Sequence, residues 1–231
     1  MLSIAEENYL KAIYKIVQHQ GVTCVSTNTL AQEMGTRAAS VTDMVQRLAD
    51  KSLLTYQKYR GVVLTREGQH LAILLLRKHR LWESFLVDKL GFRWDQVHEL
   101  AEQLEHIQSE ELIERLDAYL DYPRFDPHGD PIPNEQGNFF LRQQVALSVV
   151  ETKGKSMRVL AVRQHRPEFL RYLDSLHLKP GCMLELLEKN AFDLSMEVLI
   201  NGSRRQWITH ETAQDIFVKP IVHEIHTESL S

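Results

Sequence analysis

The first 65 residues are punctuated so closely by caps and stops that few arrangements of helix and strand accommodate them. Tyr9, Leu10, Ile13, Tyr14 and Val17 make an apolar stripe at helical spacing, with Ser3 and Glu6 set as a capping box and Gly21 as the stop. Leu30, Ala31 and Met34 mark a short helix over about 28–34, closed by Gly35. Val41, Met44, Val45 and Leu48 stripe a third, from about Arg37 to Lys51. Two helices joined only by Gly35-Thr36 predict a helix-turn-helix. The runs Leu54–Tyr59 and Val62–Thr65, either side of Arg60-Gly61, predict a β-hairpin, or wing.

The remainder divides by composition. A Leu-rich helix is expected over Glu67–Leu90, ending at Gly91. Asp95 is placed to cap a helix to about Ile107, and Ser109 another to about Tyr122, stopped by Pro123. Residues 122–138 hold four of the seven prolines and read as a structured loop or a linker. Strands are expected at Met157–Val162, Met183–Glu188, Ser195–Ile200 and Ile216–Val218, with a helix over Pro167–Leu176, which predicts a small β-barrel. The fold class is therefore mainly α with small β parts. The expected division is a winged head at 1–70, a helical domain at 71–142, a linker at 143–154, a barrel at 155–220 and a tail at 221–231.

Charge separates along these divisions. Residues 1–80 carry 11 Lys+Arg against 6 Asp+Glu, residues 81–150 carry 5 against 14, and residues 151–231 balance at 11 each. A basic head suits a polyanion, and an acidic middle suits a cation. Cys24 and Cys182 are the only cysteines, which excludes a disulfide framework and a cysteine zinc knuckle. The longest strictly apolar run, Leu71 to Leu76, is far short of the roughly 20 residues of a membrane span, and Glu6 and Glu7 interrupt any signal-type start. The expectation is a cytoplasmic protein with no membrane partner.

The acidic middle carries metal chemistry. With His98 at the origin of a helical wheel, Glu102 falls at about 40°, Glu105 at about −20° and His106 at about 80°, beside the apolar arc. Carboxylates so clustered repel one another, and burial penalises their ionisation. A divalent cation resolves both. His79 and Glu83 stand one turn apart on the preceding helix. A solvated acidic face would account for any one glutamate, but not for the whole set with its histidines in register.

On the DNA side, the outward residues at the start of a recognition helix are Arg37, Ala38, Ala39, Ser40, Thr42 and Asp43, followed a turn later by Gln46 and Arg47. Arg37 suits guanine or phosphate, Ser40 and Thr42 phosphate, and Ala39 a thymine methyl. Lys58 and Arg60 on the wing would meet the backbone.

RKHRL at 77–81, His98, Glu102 and the Glu105-His106 pair, taken with EENYLKAIY at 6–14, SVTDMVQRL at 40–48, YRGVVLT at 59–65 and PHGDPIP at 127–133, resemble the DtxR/MntR family of metal-dependent transcriptional repressors. PGCMLELL and AQDIFVKP extend the likeness to an FeoA-like, SH3-type end, as in the long three-domain members. The resemblance implies two metal sites. His79, Glu83 and His98 match one, completed from the barrel by His165 and Glu168. Glu102, Glu105 and His106 match the other, with Asn8 where manganese-type members usually have Asp, and with Asp126 and His128 as loop ligands. All-oxygen-and-imidazole ligation favours Mn²⁺ or Fe²⁺, while Zn²⁺, Co²⁺ and Ni²⁺ remain able to bind in vitro.

Leu74, Leu75, Leu81, Trp82, Phe85 and Leu86, with Leu112, Ile113, Leu116 and Leu120, offer more apolar surface than one helical layer uses, which predicts a homodimer. The resulting expectation is a metal-activated repressor of metal-uptake genes, its two heads reading a palindromic operator in double-stranded DNA. Three rivals are a winged-helix regulator answering an organic ligand, a di-metal carboxylate enzyme, and an adaptor using its SH3-like end. Helical enzymes of that kind carry ExxH pairs at the metal, whereas here Glu105 and His106 are adjacent, and HExxH, GxSxG and a P-loop are absent.

Overall fold

The computed structural model describes residues 2–57 and 60–221. Two compact units emerge, one of residues 1–85, 99–124 and 132–140, the other of residues 86–98, 125–131 and 141–231.

In the first unit, α1 (Ile4–Gln20) begins with the expected capping box and ends at Gly21 in the left-handed region. α2 (Thr27–Glu33) and α3 (Ala38–Asp50) follow, with Ser26 capping α2. β1 (Leu54–Gln57) and β2 (Gly61–Leu64) pair antiparallel with Gln57 opposite Gly61. Val25 bridges Val62 as a third, one-residue strand. Gly61 is obligatory there: its φ is 113°, and a Cβ would stand 2.3 Å from the Val25 carbonyl oxygen. α4 (Arg66–Asp88) starts against the wing, where Thr65 Oγ1 accepts from the Gly68 amide. One apolar core joins Leu10 and Ile13 of α1, Leu30 of α2, Val41, Val45 and Leu48 of α3, and Ala72 and Leu76 of α4. A second joins Leu81, Trp82, Ala101, Ile113, Leu116 and Ile132.

Two helices are shorter than their sequence patterns predict. α5 runs only His98–Leu104. Asp95 does not cap it; its carboxylate accepts from Arg93 Nε at 2.9 Å, and residues 93–96 form a turn. Glu105 and His106 therefore lie in the turn after α5, not on its face. α6 (Glu110–Tyr119) is capped by Ser109 as expected but ends before Asp121 and Tyr122, whose φ values of 60° and 52° are left-handed. Arg77, buried in this unit, donates to Asp117 Oδ2 at 2.8 Å and to the Pro133 carbonyl at 3.4 Å, tying α4, α6 and the proline-rich loop together.

Much of the apolar surplus assigned to a dimer face is spent inside the protomer. Leu75, Leu81, Trp82, Leu86, Ile113 and Leu116 are buried, whereas Leu112 and Tyr119 are exposed.

In the second unit, β3 (Val145–Ala146) is followed by β4 (Ser156–Val162), α7 (Pro167–Ser175), β5 (Met183–Lys189), β6 (Met196–Ile200), β7 (Arg204–Ile208), α8 (His210–Gln214) and β8 (Ile216–Pro220). The strands form one antiparallel sheet in the order β3-β8-β4-β5-β6-β7. Bulges at Val159/Ala161 and Leu186/Glu188 add local twist. Met157, Val159, Leu184, Leu186, Val198 and Val218 pack with Leu170 and Leu173 of α7. β7 escaped the sequence reading because its edge position leaves Arg204, Arg205 and Trp207 exposed, so its pattern is polar. The expected tail lies outside the described residues, apart from Ile221.

Candidate metal centre and nucleic-acid interface

The candidate recognition surface is set by the burial pattern of α3. Val41, Val45 and Leu48 are buried, which turns Arg37, Ala38, Ala39, Ser40, Thr42, Asp43, Gln46 and Arg47 outward, all exposed. Arg37 occupies the N-cap position without a side-chain cap, so its guanidinium is not used by the helix start. Thr42 Oγ1 donates to the Ala38 carbonyl and Gln46 donates to Asp50. Arg60 is exposed on the wing, and its carbonyl accepts from Cys24 Sγ. Lys58 lies outside the described residues.

The first unit also assembles the acidic cluster, and the key contacts come from α1. Glu105, 0% exposed, presents Oε2 to His79 Nδ1 at 2.6 Å and Oε1 to Lys11 Nζ at 2.5 Å. The same ammonium donates to Glu102 Oε1 at 3.3 Å. His79 turns Nε2 to Glu83 Oε1 at 3.1 Å, the expected i, i+4 pair of α4. His106 Nδ1 meets Glu7 Oε2 at 2.6 Å, and its Nε2 is 3.8 Å from Glu105 Oε1. Gln108 donates to the other oxygen of Glu7 at 2.8 Å. Asn8 is half-buried, and the α1 side chains that reach the cluster are its neighbours Glu7 and Lys11. Both escaped the sequence reading; their one signal was i, i+4 spacing on the polar edge of α1.

The electrostatics follow from that packing. Burial opposes a charge on His79, but Glu83 and Glu105 on its two ring nitrogens outweigh it and hold its pKa above the ordinary imidazole value. Burial likewise opposes ionisation of Glu105, and His79 and Lys11 overcome it, so its pKa lies below the ordinary carboxylate value. Burial, with Lys11 nearby, pushes the Lys15 ammonium down, against the pull of Glu102, Glu105 and Glu83. Glu83 and Glu105 thus flank the His79 imidazole and Glu7 that of His106, while Glu102 and Glu105 share the Lys11 ammonium. That donor set fits a divalent ion of the Mn²⁺ or Fe²⁺ kind.

The remaining sequence-selected residues belong to the second unit. His98 opens α5, half-buried. Asp126 Oδ1 accepts from the amides of His128 and Asp130 at 2.9 and 3.0 Å, shaping the PHGDP loop. Gly129 is required, because a Cβ would lie 2.1 Å from the Leu160 carbonyl oxygen. The His128 ring, fully buried, stacks on His165 at 4.4 Å, and its Nε2 bonds the Trp94 carbonyl at 2.8 Å. His165 Nε2 is 3.9 Å from Asp130 Oδ2. Glu168 stands apart: it is exposed on α7 and pairs with Arg171 at 3.4 Å.

Residues 1–62 match the family described as "Iron dependent repressor, N-terminal DNA binding domain", residues 65–134 "Iron dependent repressor, metal binding and dimerisation domain", and residues 152–220 "FeoA domain". The "Iron-dependent repressor IdeR" of Mycobacterium tuberculosis (strain H37Rv) is 38% identical over 127 residues, 55% of this chain; the chain spans about half, 54%, of that relative. The "Diphtheria toxin repressor" of Corynebacterium efficiens is 34% identical over 229 residues, 97% of this chain and 95% of that one. A solved "Manganese-dependent transcriptional repressor complex with manganese" is similar with a TM-score of 0.82 and 33% identity, over 93% of this chain and 99% of that one. No helix among the described residues is long and apolar enough to cross a membrane. With a winged head, a helical segment and an SH3-like sheet in matching order, the chain belongs to the iron-dependent repressor family of DNA-binding, metal-dependent transcriptional regulators.

Proposed function

We infer that this protein is a metal-activated transcriptional repressor, acting in the cytoplasm as a homodimer whose two heads bind a palindromic operator in genes of metal uptake. Mn²⁺ or Fe²⁺ is the activating ion. In this reading residues 1–70 read DNA, 71–142 bind metal and dimerise, 143–154 link, and 155–220 form the SH3-like domain. Arg37, Ala39, Ser40, Thr42, Asp43, Gln46 and Arg47 face the major groove, and Lys58 and Arg60 face the backbone. Glu102, Glu105 and His106 hold one ion with Asn8. His79, Glu83 and His98 hold another with His165 and Glu168, and the loop before PIP supplies Asp126 and His128 as further ligands.

The observation that carries this reading is the fully buried Glu105, held between His79 of α4 and Lys11 of α1. α1 shares its core with the recognition helix, through Leu10, Ile13, Val41 and Val45, and Lys51 at the end of α3 donates to Glu6 at 2.6 Å. Whatever holds α1 against the turn after α5 thereby also holds the recognition helix. A divalent ion bound there supplies positive charge and directional bonds to carboxylates that otherwise repel. Glu105 and His106, on a short turn, aim their donors at α1.

The test uses DNA fragments selected by the protein from a random pool in the presence of Mn²⁺. Wild type is expected to bind them more tightly with Mn²⁺ than without by the 5–150-fold of an ordinary allosteric coupling, about 1–3 kcal/mol. Glu102→Ala is expected to lose that gain. An equal metal response in both proteins refutes the reading.

A further inference from the structure

We propose that Lys11 is an internal counter-cation: its ammonium occupies the carboxylates of Glu102 and Glu105 when metal is absent, and a divalent ion binds there by displacing it, so Lys11 sets the metal concentration at which the switch responds. The inference rests on the metal-site reading above and deepens it.

The geometry sets this ammonium apart from an ordinary ion pair. Its side chain is 6% exposed, and it lies 2.5 Å from Glu105 Oε1 and 3.3 Å from Glu102 Oε1. A structural pair needs one carboxylate; this ammonium sits between two, both from the acidic cluster. The same Glu105 oxygen is the one 3.8 Å from His106 Nε2. The cation therefore occupies two carboxylate oxygens, Glu102 Oε1 and Glu105 Oε1, that the metal-site reading gives to the ion. An ion claiming those oxygens excludes the ammonium by contact distance and by like charge. Leaving the position empty would instead leave the buried Glu105 Oε1 without its cation, with His79 alone on the other oxygen, the costly way to break such a pair. The lysine thus keeps Glu105 ionised and in place until a better cation arrives.

Exit is geometrically available. The Glu102 side chain is 48% exposed, so the cluster opens to solvent on that side. A lysine stem has four rotatable bonds, so withdrawal is a change of rotamer rather than of fold. Glu105 and His106 sit past the end of α5, where the backbone is a turn and can adjust around an ion of different size. Exchange also discriminates by charge. A monovalent ion offers these carboxylates no more charge than the ammonium already there, whereas a divalent ion doubles it. In this structure α1 is tethered to the turn by Lys11, and Glu7 on His106 assists. Metal therefore replaces one tether with a stronger one, and the switch works on the difference.

In population language, the state able to take metal is the one with the ammonium withdrawn, and apparent affinity is reduced by the fraction of time that state is occupied. Removing the ammonium removes the competition. The experiment is Mn²⁺ titration calorimetry on the full-length protein as wild type, Lys11→Met, Lys11→Gln and Glu105→Gln, with thermal unfolding of each without metal. Lys11→Met and Lys11→Gln are expected to bind Mn²⁺ about tenfold more tightly, within the usual span of site-to-site coupling. Both should melt at lower temperature than wild type without metal and regain the difference when Mn²⁺ is added. The glutamine variant keeps a neutral polar group against Glu105, so the affinity readout survives if the methionine variant folds poorly. Unchanged or weaker Mn²⁺ binding in the Lys11 variants, while Glu105→Gln abolishes binding, overturns the counter-cation role and leaves the metal site standing. Full Mn²⁺ affinity in Glu105→Gln overturns both.

Discussion

Replacing Arg77 with Met tests how the first unit holds the helix that supplies His79 and Glu83. Arg77 is 4% exposed, and its two terminal nitrogens reach Asp117 at 2.8 Å and the Pro133 carbonyl at 3.4 Å. Methionine fills most of the same space but leaves the Asp117 carboxylate, itself buried, with no cation. Breaking a buried pair from one side costs about 3–5 kcal/mol. A solvent-exposed pair costs at most about 1 kcal/mol, so the two cases are separable. Against a domain stability of about 5–15 kcal/mol, the loss is a large fraction. The assay is guanidinium unfolding of the metal-free protein followed by circular dichroism, where the helices of the first unit dominate. The double variant Arg77→Met/Asp117→Leu completes a cycle. Because it removes the stranded carboxylate as well, it should recover most of what the single variant loses. A single-variant loss below about 1 kcal/mol, or a double variant no more stable than the single, refutes the reasoning.

Gly61→Ala should destabilise the head by about 1–3 kcal/mol through its left-handed φ and the clash with the Val25 carbonyl, and it should weaken DNA binding while Mn²⁺ affinity by calorimetry stays put. Arg37→Ala and Arg47→Ala should each weaken operator binding, and each that touches phosphate should reduce the slope of log affinity against log salt by about 1. A salt titration by fluorescence anisotropy reads both effects, and unchanged slopes in both variants would remove α3 from the interface. His79 adds a pH dependence. Its pKa is raised by Glu83 and Glu105, so its contribution to metal-free stability is fully present below the ordinary imidazole value of 6.5 and is lost as pH rises through the elevated value. The melting temperature of the metal-free protein should fall over that window, and the fall should flatten in His79→Gln.

The head was legible because its signals are local. A capping box, two helix stops at Gly21 and Gly35, and a stripe at Val41, Val45 and Leu48 each follow from contacts within one or two turns. In the second unit α7 was legible from its sequence, and the strands were legible where they are buried. β6 alternates cleanly between buried and half-buried positions, while β7 lies at the sheet edge with an exposed polar sequence and gives no period-two signal. α5 was overextended for a related reason. Asp95 is a good cap in isolation, but Arg93 takes its carboxylate, and that competition depends on a turn that the sequence pattern does not reveal.

The acidic cluster shows where sequence reading of a site stops. His79, Glu83, Glu102, Glu105 and His106 were found because several donors recur at helical spacing, and repetition is what a pattern can register. Lys11 was passed over because one lysine on a polar helix edge is unremarkable by composition and spacing; only its separation of 2.5 Å from a residue 94 positions away gives it meaning. The wheel also placed Glu105 and His106 on the face of α5, whereas the helix stops at Leu104 and both residues turn toward α1. That early stop has a chemical consequence. Donors fixed on one straight helix would converge on an ion only from a single direction. Donors split between a helix, a turn and α1 can surround one, and the same arrangement lets α1 present an ammonium of its own.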